Sequence, residues 1–216
     1  MNDCQSAHAL LKDQAYENLK RLIIEEVFSP GTCLSERQLA ARLDMSKTPI
    51  RSALARLEAE GFVALPPQQG IVVREPSLRE VVDLFDIRIA LETFVVQSIA
   101  GRLNPEQIGQ LRANLELQAQ AAQAGDVVEY TRLDADFHLL LCELFANREI
   151  LQVMRGGWDK LHRVVLGLLR TDAERLMISY GGHEGIVEAV AQGQGAQAVA
   201  RVREHLEYGK HFLEAR

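Results

Sequence analysis

The stretch RLDADFHLLLC, residues 132–142, places a carboxylate and an imidazole on the inward side of a predicted helix. Its apolar residues recur at the i, i+4, i+7 and i+11 spacing of a buried helix face: Leu133, Phe137, Leu140 and Leu144. Asp134 and His138 lie one turn apart on the neighbouring stripe, which is itself partly apolar. Buried carboxylates and imidazoles need partners, and these two could bind one metal ion.

Two further histidines lie on apolar stripes of separate predicted helices. His183 heads a run that continues with valines, and His205 lies on the apolar face of the last helix. A divalent cation would satisfy all four groups together, and three imidazole nitrogens with one carboxylate suit Zn²⁺, Ni²⁺ or another late transition metal. The alternative is that each histidine is a structural core residue and that Asp134 and His138 form an ordinary buried polar pair.

Two more residues could contact a small molecule bound at such a metal. Four protein ligands leave up to two positions of an octahedral shell open to a carboxylate oxygen, and Arg88 could offer a bidentate fork to another oxygen. The alternative for Arg88 is an i, i+4 surface ion pair with Glu92. His162 shares a stripe with Trp158 and Val165, and it is a candidate for lining the pocket or else a plain core histidine.

The elements that position these residues follow from periodicity and capping signals. Helices with short loops are predicted throughout residues 76–216, and their starts are marked by capping residues: Ser77, Asn104, Asp126 and Asn147. Glycine pairs at 156–157 and 181–182 are expected to kink or break two of these helices. The predicted fold is mainly α, with six or seven helices in an all-α bundle over 76–216.

Residues 1–75 carry a different pattern, of three helices and a hairpin. An amphipathic helix over 10–27 ends at PGT, the capping box SERQ opens a second helix at Ser35, and a third runs from Ser46 to Gly61. The short runs FVAL and IVVR, separated by PPQQG, indicate a β-hairpin. This order is typical of a winged helix-turn-helix domain, in which the second motif helix lies in the major groove of DNA.

The N-terminal end of the third helix carries groups suited to DNA. Two hydroxyls and two cations cluster there: Ser46, Lys47, Thr48 and Arg51. Together with the free N–H groups of a helix start they suit phosphates and guanine edges. Arg37, at the start of the preceding helix, is expected to meet the DNA backbone. The alternative is a merely solvated charged face, but the order of the elements favours DNA.

Composition agrees with a globular protein of a reducing compartment. The chain of 216 residues is long enough for two modest domains, and it has no apolar run long enough to span a membrane. Three scattered cysteines argue against a disulfide framework and for a cytoplasmic location. Acidic and basic residues balance over 9–75, so most of the net charge of −6 lies in the remainder of the chain.

Residues 34–73, LSERQLAARLDMSKTPIRSALARLEAEGFVALPPQQGIVV, resemble the DNA-binding domain of the GntR family of bacterial transcription regulators. The resemblance implies a wing tip at Gly70 near the minor groove, and it implies DNA contacts by four residues: Arg37, Lys47, Thr48 and Arg51. Three positions depart from the family pattern. Lys47 replaces an arginine, Asp44 replaces a turn glycine, and Gln68–Gln69 stand where a basic residue is common.

The helical part resembles the FadR-type ligand-binding domain, the FCD domain, which is often fused to a GntR reader. The family pattern of D-x-x-x-H, H-x-x-I and a late H-L is matched by DADFH at 134–138, HEGI at 183–186 and HL at 205–206. The length of this part is similar to the VanR-like branch. The resemblance implies an effector contact by Arg88 and a metal held by four ligands: Asp134, His138, His183 and His205.

These features predict a metabolite-responsive transcription regulator. Its expected partners are operator DNA with inverted-repeat symmetry, bound by a homodimer, and a small organic acid held at a zinc or nickel site. The alternative is a metal-dependent hydrolase or lyase fused to a DNA-binding module. Because the sequence shows no HExxH, nucleophile motif or phosphate loop, and because the candidate polar groups all serve as ligands, a binding protein is favoured over an enzyme.

Overall fold

The chain divides into two compact units, Met1–Ser77 and Leu78–Arg216. The computed structural model describes residues 2–25, 27–67, 70–169 and 174–214. Each unit has an apolar core of its own, and the fold is mainly α, as the sequence predicts. Among the residues described, no helix combines the length and the apolar character needed to cross a membrane.

The first unit is a winged helix-turn-helix. Its elements are, in chain order, α1 (Asn2–Ile24), β1 (Cys33–Leu34), α2 (Glu36–Leu43), α3 (Lys47–Ala59), β2 (Val63–Ala64) and β3 (Ile71–Val73). The strands form an antiparallel sheet in the order β1-β3-β2, in which Cys33 lies opposite Val72 and Val63 opposite Val73. The sequence predicts the β2–β3 hairpin but not β1, because a strand of two residues shows no alternation. It also places the end of the first helix too late, at residue 27.

Local capping interactions set the ends of the two motif helices. The predicted capping box at the start of α2 is confirmed, since Ser35 and Gln38 each accept a hydrogen bond from the backbone of the other. Between α2 and α3, Asp44 adopts the left-handed conformation at φ 51°, which aspartate tolerates better than most residues do. Beyond α3, Gly61 has a φ of 82° and closes a Schellman-type cap, as its position predicts.

The second unit is a bundle of six described helices. They are α4 (Leu78–Ile99), α5 (Pro105–Ala124), α6 (Val127–Phe145), α7 (Arg148–Leu169), α8 (Glu174–Ala191) and α9 (Gly195–Glu214). α4 runs through the middle and packs against α6, α7, α8 and α9, so its apolar residues form much of the core. The predicted caps at Asn104, Asp126 and Asn147 are confirmed, because each side chain accepts from a backbone N–H of the following helix.

The predicted break of a bundle helix at Gly181–Gly182 is not present. α7 passes through Gly156–Gly157 and α8 through Gly181–Gly182 as continuous helices. A glycine weakens a helix by about 1 kcal/mol relative to alanine, which is less than the packing of a long helix face can contribute. The expectation of a break in α8 is therefore wrong, and the second glycine pair has a different role at the site.

Candidate metal centre and nucleic-acid interface

Four polar side chains from three helices converge in the core of the second unit. Asp134 and His138 come from α6, His183 from α8 and His205 from α9, and one ligand atom of each lies within 4.8 Å of the others. Nε2 of His183 is 3.2 Å from Nε2 of His138 and 3.1 Å from Nε2 of His205. The same nitrogen lies 3.5 Å from Oδ1 of Asp134. The structure thus brings together all four candidate metal ligands.

Glu92 on α4 fixes the orientation of His138. One carboxylate oxygen of Glu92 lies 2.5 Å from Nδ1 of His138, and the other accepts from Nε of Arg88 at 2.7 Å. Burial by itself would raise the pKa of Glu92, but Arg88 and His138 lower that pKa to about 2. Because an ionised carboxylate can only accept, Nδ1 of His138 donates to it, which leaves Nε2 of His138 facing the cluster.

The tautomer of His183 follows from a chain of hydrogen bonds that starts at the backbone. The carbonyl of Leu133 can only accept, so the side-chain nitrogen of Asn114 donates to it at 3.1 Å. Oδ1 of Asn114 then accepts from Nε2 of Gln118 at 2.6 Å, which leaves Oε1 of Gln118 to accept from Nδ1 of His183 at 2.7 Å. His183 therefore presents an unprotonated Nε2 to the cluster.

The surroundings of the cluster favour neutral imidazoles. His138 and His183 are fully buried, and burial lowers the pKa of His183 and of His205 well below the ordinary value, with neighbouring histidines adding to the effect. Burial raises the pKa of Asp134, while His138 opposes that change. A neutral imidazole is the form that coordinates a metal ion, so His183 and His205 have the protonation state that a ligand needs.

The spacing and chemistry of these atoms fit a shared transition-metal ion. Nε2 of His138 and Nε2 of His183 face each other at 3.2 Å, and either a proton between them or one shared metal ion would make this contact favourable. Nitrogen atoms bound at about 2.0–2.1 Å to one zinc ion are ~3.3–3.4 Å apart in a tetrahedral shell and ~2.8–3.0 Å apart in an octahedral one, and the separations seen here lie between these values. Both histidines also make the outer hydrogen bond through their other ring nitrogen that metal-binding histidines usually make.

Gly182 allows the fourth side chain to reach the cluster. A Cβ built on Gly182 would lie 2.8 Å from Nδ1 of His205, so any larger residue would displace that imidazole. A Cβ at the adjacent Gly181 would meet no atom within 4 Å. The second glycine of the pair is thus explained by the close approach of α9 to α8 at His205.

A cavity of about 320 Å³ adjoins the cluster, and Asp134, His205 and Arg88 are among the residues that line it. The guanidinium of Arg88 is buried, lies 4.2 Å from the centre of the Trp158 ring and donates through Nε to Glu92. Its Nη2 nonetheless has no hydrogen-bond partner. The predicted Arg88–Glu92 pair is therefore present, but it is buried rather than on the surface, and it leaves one buried donor of Arg88 unsatisfied.

His162 is not among the residues that line this cavity, although the sequence made it a candidate. Val165 and Leu169, farther along α7, do line it. His162 is half-buried and lies close enough to Asp136 on α6 to affect that carboxyl group. Burial raises the pKa of Asp136, and His162 acts to lower it. A helix stripe is wide enough to face two neighbouring helices, so residues one turn apart can have different surroundings.

Sequence reasoning missed the residues behind the metal ligands. The i, i+4 spacing predicts for Glu92 only a surface pair with Arg88, although the mostly apolar stretch around it, residues 87–96, is a signal of a buried role. Gln118 lies on the buried stripe of α5 with Leu111 and Leu115, and a glutamine on such a stripe needs a partner in the core. That pattern is enough to mark Gln118 as a buried polar residue with a partner, but it does not identify His183 as the partner.

The candidate DNA contacts occupy exposed positions of the first unit: Arg37, Ser46, Lys47, Thr48 and Arg51. Ser46 precedes α3 in an extended conformation, but its hydroxyl makes no capping hydrogen bond. The residue three positions later is Pro49, which has no N–H to offer to such a cap. The Ser46 hydroxyl and the start of α3 are therefore in a position to bind a phosphate group instead.

Arg51 is held by an acidic residue of the other motif helix. Its Nε lies 2.8 and 2.9 Å from the two carboxylate oxygens of Glu36, and the Arg51 side chain is 65% exposed. The hydrogen bond from Arg51 lowers the pKa of Glu36, so the pair is ionic. Because the contact uses Nε, the terminal NH₂ groups of Arg51 are left out of it.

The backbone of the wing requires a glycine at position 70. Gly70 has a φ of 84°, and a Cβ there would lie 2.8 Å from the carbonyl oxygen of Leu34 on β1. A larger residue would strain the backbone and push β1 away from β3. Gly70 is exposed, as a wing-tip residue should be, while the Gln68–Gln69 pair lies outside the described residues.

Comparison with known families identifies both units. Residues 11–73 match the bacterial regulatory proteins of the gntR family, and residues 83–208 match the FCD domain. The chain belongs to the GntR family of bacterial transcription regulators. Both resemblances read from the sequence are thereby confirmed, since the winged helix-turn-helix is the GntR reader and the helical bundle is an FCD domain.

Relatives of this GntR protein are themselves transcription regulators. It is 29% identical over 206 residues to the uncharacterized HTH-type transcriptional regulator YdhC of Bacillus subtilis, a match that covers 93% of this chain and 92% of that protein. It is 30% identical over 187 residues to the Nta operon transcriptional regulator of Aminobacter aminovorans, covering 86% and 85% of the two chains. The chain is therefore a DNA-binding transcription regulator, and the alternative of a hydrolase or lyase is set aside.

Solved structures of GntR regulators have the same fold. E. coli McbR/YncC superposes with a TM-score of 0.80 at 22% identity, over 95% of this chain and 97% of that one. A putative GntR regulator from Rhodococcus sp. RHA1 superposes with a TM-score of 0.81 at 24% identity, over 94% and 97% of the chains. Each likeness extends over both the reader and the FCD domain.

Proposed function

We propose that this GntR protein is a cytoplasmic, metabolite-responsive regulator that binds a divalent metal and a small carboxylate in its FCD domain. Zinc or nickel would be held by four ligands: Asp134, His138, His183 and His205. When bound, such an ion supplies a Lewis-acidic position for a carboxylate oxygen. The protein would act as a homodimer on an operator with inverted-repeat symmetry, with one reader on each half-site.

One observation carries the proposal: Arg88, which has an unsatisfied donor, lines the same cavity as two members of the metal-ligand cluster. Asp134 and His205 line that cavity together with Arg88, whose Nη2 has no partner. A buried cationic donor without a partner is costly, and a carboxylate oxygen is its natural acceptor. Glu92 holds Arg88 through Nε, which keeps the guanidinium in place for a ligand.

The helix that contacts the ligand is also the helix that follows the reader in the chain. α4 begins at Leu78, and both Phe85 and Arg88 of α4 line the cavity. A carboxylate that binds one arrangement of α4 more tightly than another would shift the population between them, and it would change operator affinity by the same coupling free energy. Operator DNA must then change effector affinity reciprocally.

An exposed apolar stripe supports the homodimer. Ile87 and Phe94 on α4 are 42% and 54% exposed, and Val153 on α7 is 50% exposed. The half-buried Leu84 and Leu91 continue the α4 stripe at helical spacing. A second copy of the chain would remove this stripe from water, and an inverted-repeat operator requires two readers.

The proposed DNA contacts follow from the exposed start of α3. Lys47 and Arg51 supply cations, Ser46 and Thr48 supply hydroxyls, and Arg37 stands at the start of α2. Phosphate contacts by these groups would position the reader, and the NH₂ groups of Arg51 would read bases in the major groove. Gly70 would bring the wing close to the minor groove because it carries no side chain.

The test is metal content together with operator affinity for His138→Ala and His205→Ala. We expect each variant to lose metal and effector response while operator binding without effector persists, because the reader has its own core. His211→Ala is the matched control, since His211 is an exposed histidine on α9 that hydrogen-bonds the backbone of Glu207. Full metal content and an undiminished effector response in both cluster variants would refute the metal-dependent part of the proposal.

A further inference from the structure

We propose that the effector is a monocarboxylate with an apolar body, such as an aryl acid or a short aliphatic acid. Polyhydroxylated acids and polycarboxylates would then be poor ligands. The inference rests on the proposed function, because it concerns the same cavity, and it specifies what fills the space away from the metal cluster. The distribution of charge around the cavity carries it.

The polar groups that could hold a carboxylate lie together. Asp134, His205 and Arg88 line the cavity, and Ser179 donates to Asp134 at 3.3 Å. Among the described arginines that line this cavity, Arg88 has a buried Nη2 without a hydrogen-bond partner. These groups can engage one carboxylate, and their own hydrogen bonds with Glu92 and with each other leave little capacity for a second one.

The other arginines at the cavity are occupied. The guanidinium of Arg175 lies 3.1 Å from the centre of the Phe212 ring and 5.5 Å from that of Tyr208. Arg201 forms an ion pair with Glu204 at 3.4 Å, and Glu204 places a negative charge beside the same cavity. A second carboxylate of a ligand would have to compete with Glu204 for Arg201 and lie beside that acidic side chain, which opposes a dicarboxylate or tricarboxylate.

Most of the remaining wall is hydrocarbon. Side chains from four helices contribute to it: Phe85, Val165, Leu169, Ile178, Leu206 and Phe212. The hydroxyls of a sugar acid would lose hydrogen bonds to water there without gaining partners. Methylene or aromatic carbon, in contrast, gains free energy from leaving water for such a wall.

The size of the cavity sets how much of the apolar body it can surround. Its volume is about 320 Å³. An apolar cavity of about 150 Å³ is enough to take up one benzene molecule, so this cavity has room for a carboxylate and one ring or a short chain.

The experiment is calorimetric titration of the full-length, metal-loaded protein with sodium salts of acetate, butyrate, hexanoate, benzoate, gluconate and citrate. We expect affinity to rise about fourfold for each added methylene from acetate to hexanoate, as burial of a methylene predicts. Hexanoate and gluconate have carbon chains of equal length, so they form a matched pair, and hexanoate should bind at least tenfold more tightly.

A pair of variants tests whether the cavity wall is responsible. Val165→Thr replaces a methyl group at the wall by a hydroxyl, whereas Val164→Thr makes the same change at a half-buried valine that does not line the cavity. Val165→Thr should weaken the binding of hexanoate by threefold or more and leave the affinity for acetate unchanged. Val164→Thr should change neither affinity.

The possible outcomes separate the two proposals. Binding of gluconate or citrate as tight as that of hexanoate would overturn the apolar-body inference and leave a carboxylate-responsive regulator intact. A failure of every carboxylate to bind, acetate included, would overturn both. Equal effects of the two threonine variants on hexanoate would show that the wall near Val165 does not contact the ligand, and they would also overturn the inference.

Discussion

Replacing Gly182 by alanine should damage the metal centre without changing any ligand. The new Cβ would lie 2.8 Å from Nδ1 of His205, whereas nonbonded heavy atoms prefer about 3.5 Å or more. The imidazole would have to retreat by roughly 0.7 Å, and a constellation of this kind tolerates about 0.5 Å. We expect metal affinity to fall about 10- to 100-fold, the range found when groups that support metal ligands are changed.

Gly181→Ala is the matched control, because a Cβ there meets no atom within 4 Å. Both substitutions remove a glycine from the interior of α8, which by itself stabilises a helix by about 1 kcal/mol. Gly181→Ala should therefore raise the melting temperature of the metal-free protein and keep its metal affinity. Competition with a chromophoric chelator measures metal affinity, and thermal unfolding measures stability. Wild-type metal affinity in Gly182→Ala would refute the assignment of His205 as a ligand held in place by the close packing of α8 and α9.

Three further changes test the effector contact, the dimer surface and the reader. Arg88→Lys keeps the charge beside Glu92 but loses the planar fork, so carboxylate affinity measured by calorimetry should fall roughly 10- to 100-fold at unchanged metal content; an unaltered affinity would exclude Arg88 from the site. Phe94→Glu should weaken dimerisation by about 2 kcal/mol or more, roughly thirtyfold, in analytical ultracentrifugation, and a wild-type dimer would place the interface elsewhere. Lys47→Ala should reduce the salt dependence of operator binding by about one phosphate contact. Arg51→Ala should cost about 1–3 kcal/mol of binding free energy and relax base preference. Operator binding by the double variant as tight as that of the wild-type protein at matched salt would contradict the reader assignment.

Local sequence patterns were sufficient for most of the elements. Apolar periodicity and capping residues such as Ser35 and Asn104 predict helices whose starts the structure confirms, because a cap is made by neighbours in the chain. The same holds for the inward direction of Asp134 and His138, since one helical turn places both on one face. The β1 strand escaped prediction because two residues become a strand only when β3 lies beside them.

Tertiary packing decided what the inward-facing groups meet. Periodicity states which face of a helix is buried, but it does not state which helix lies opposite, so a sequence pattern alone cannot place His183 and His205 against α6. Only the packed bundle shows Glu92 and Gln118 behind the imidazoles and directs His162 away from the cavity. The role of Gly182 has the same origin, because its missing side chain matters only once α9 brings His205 against it.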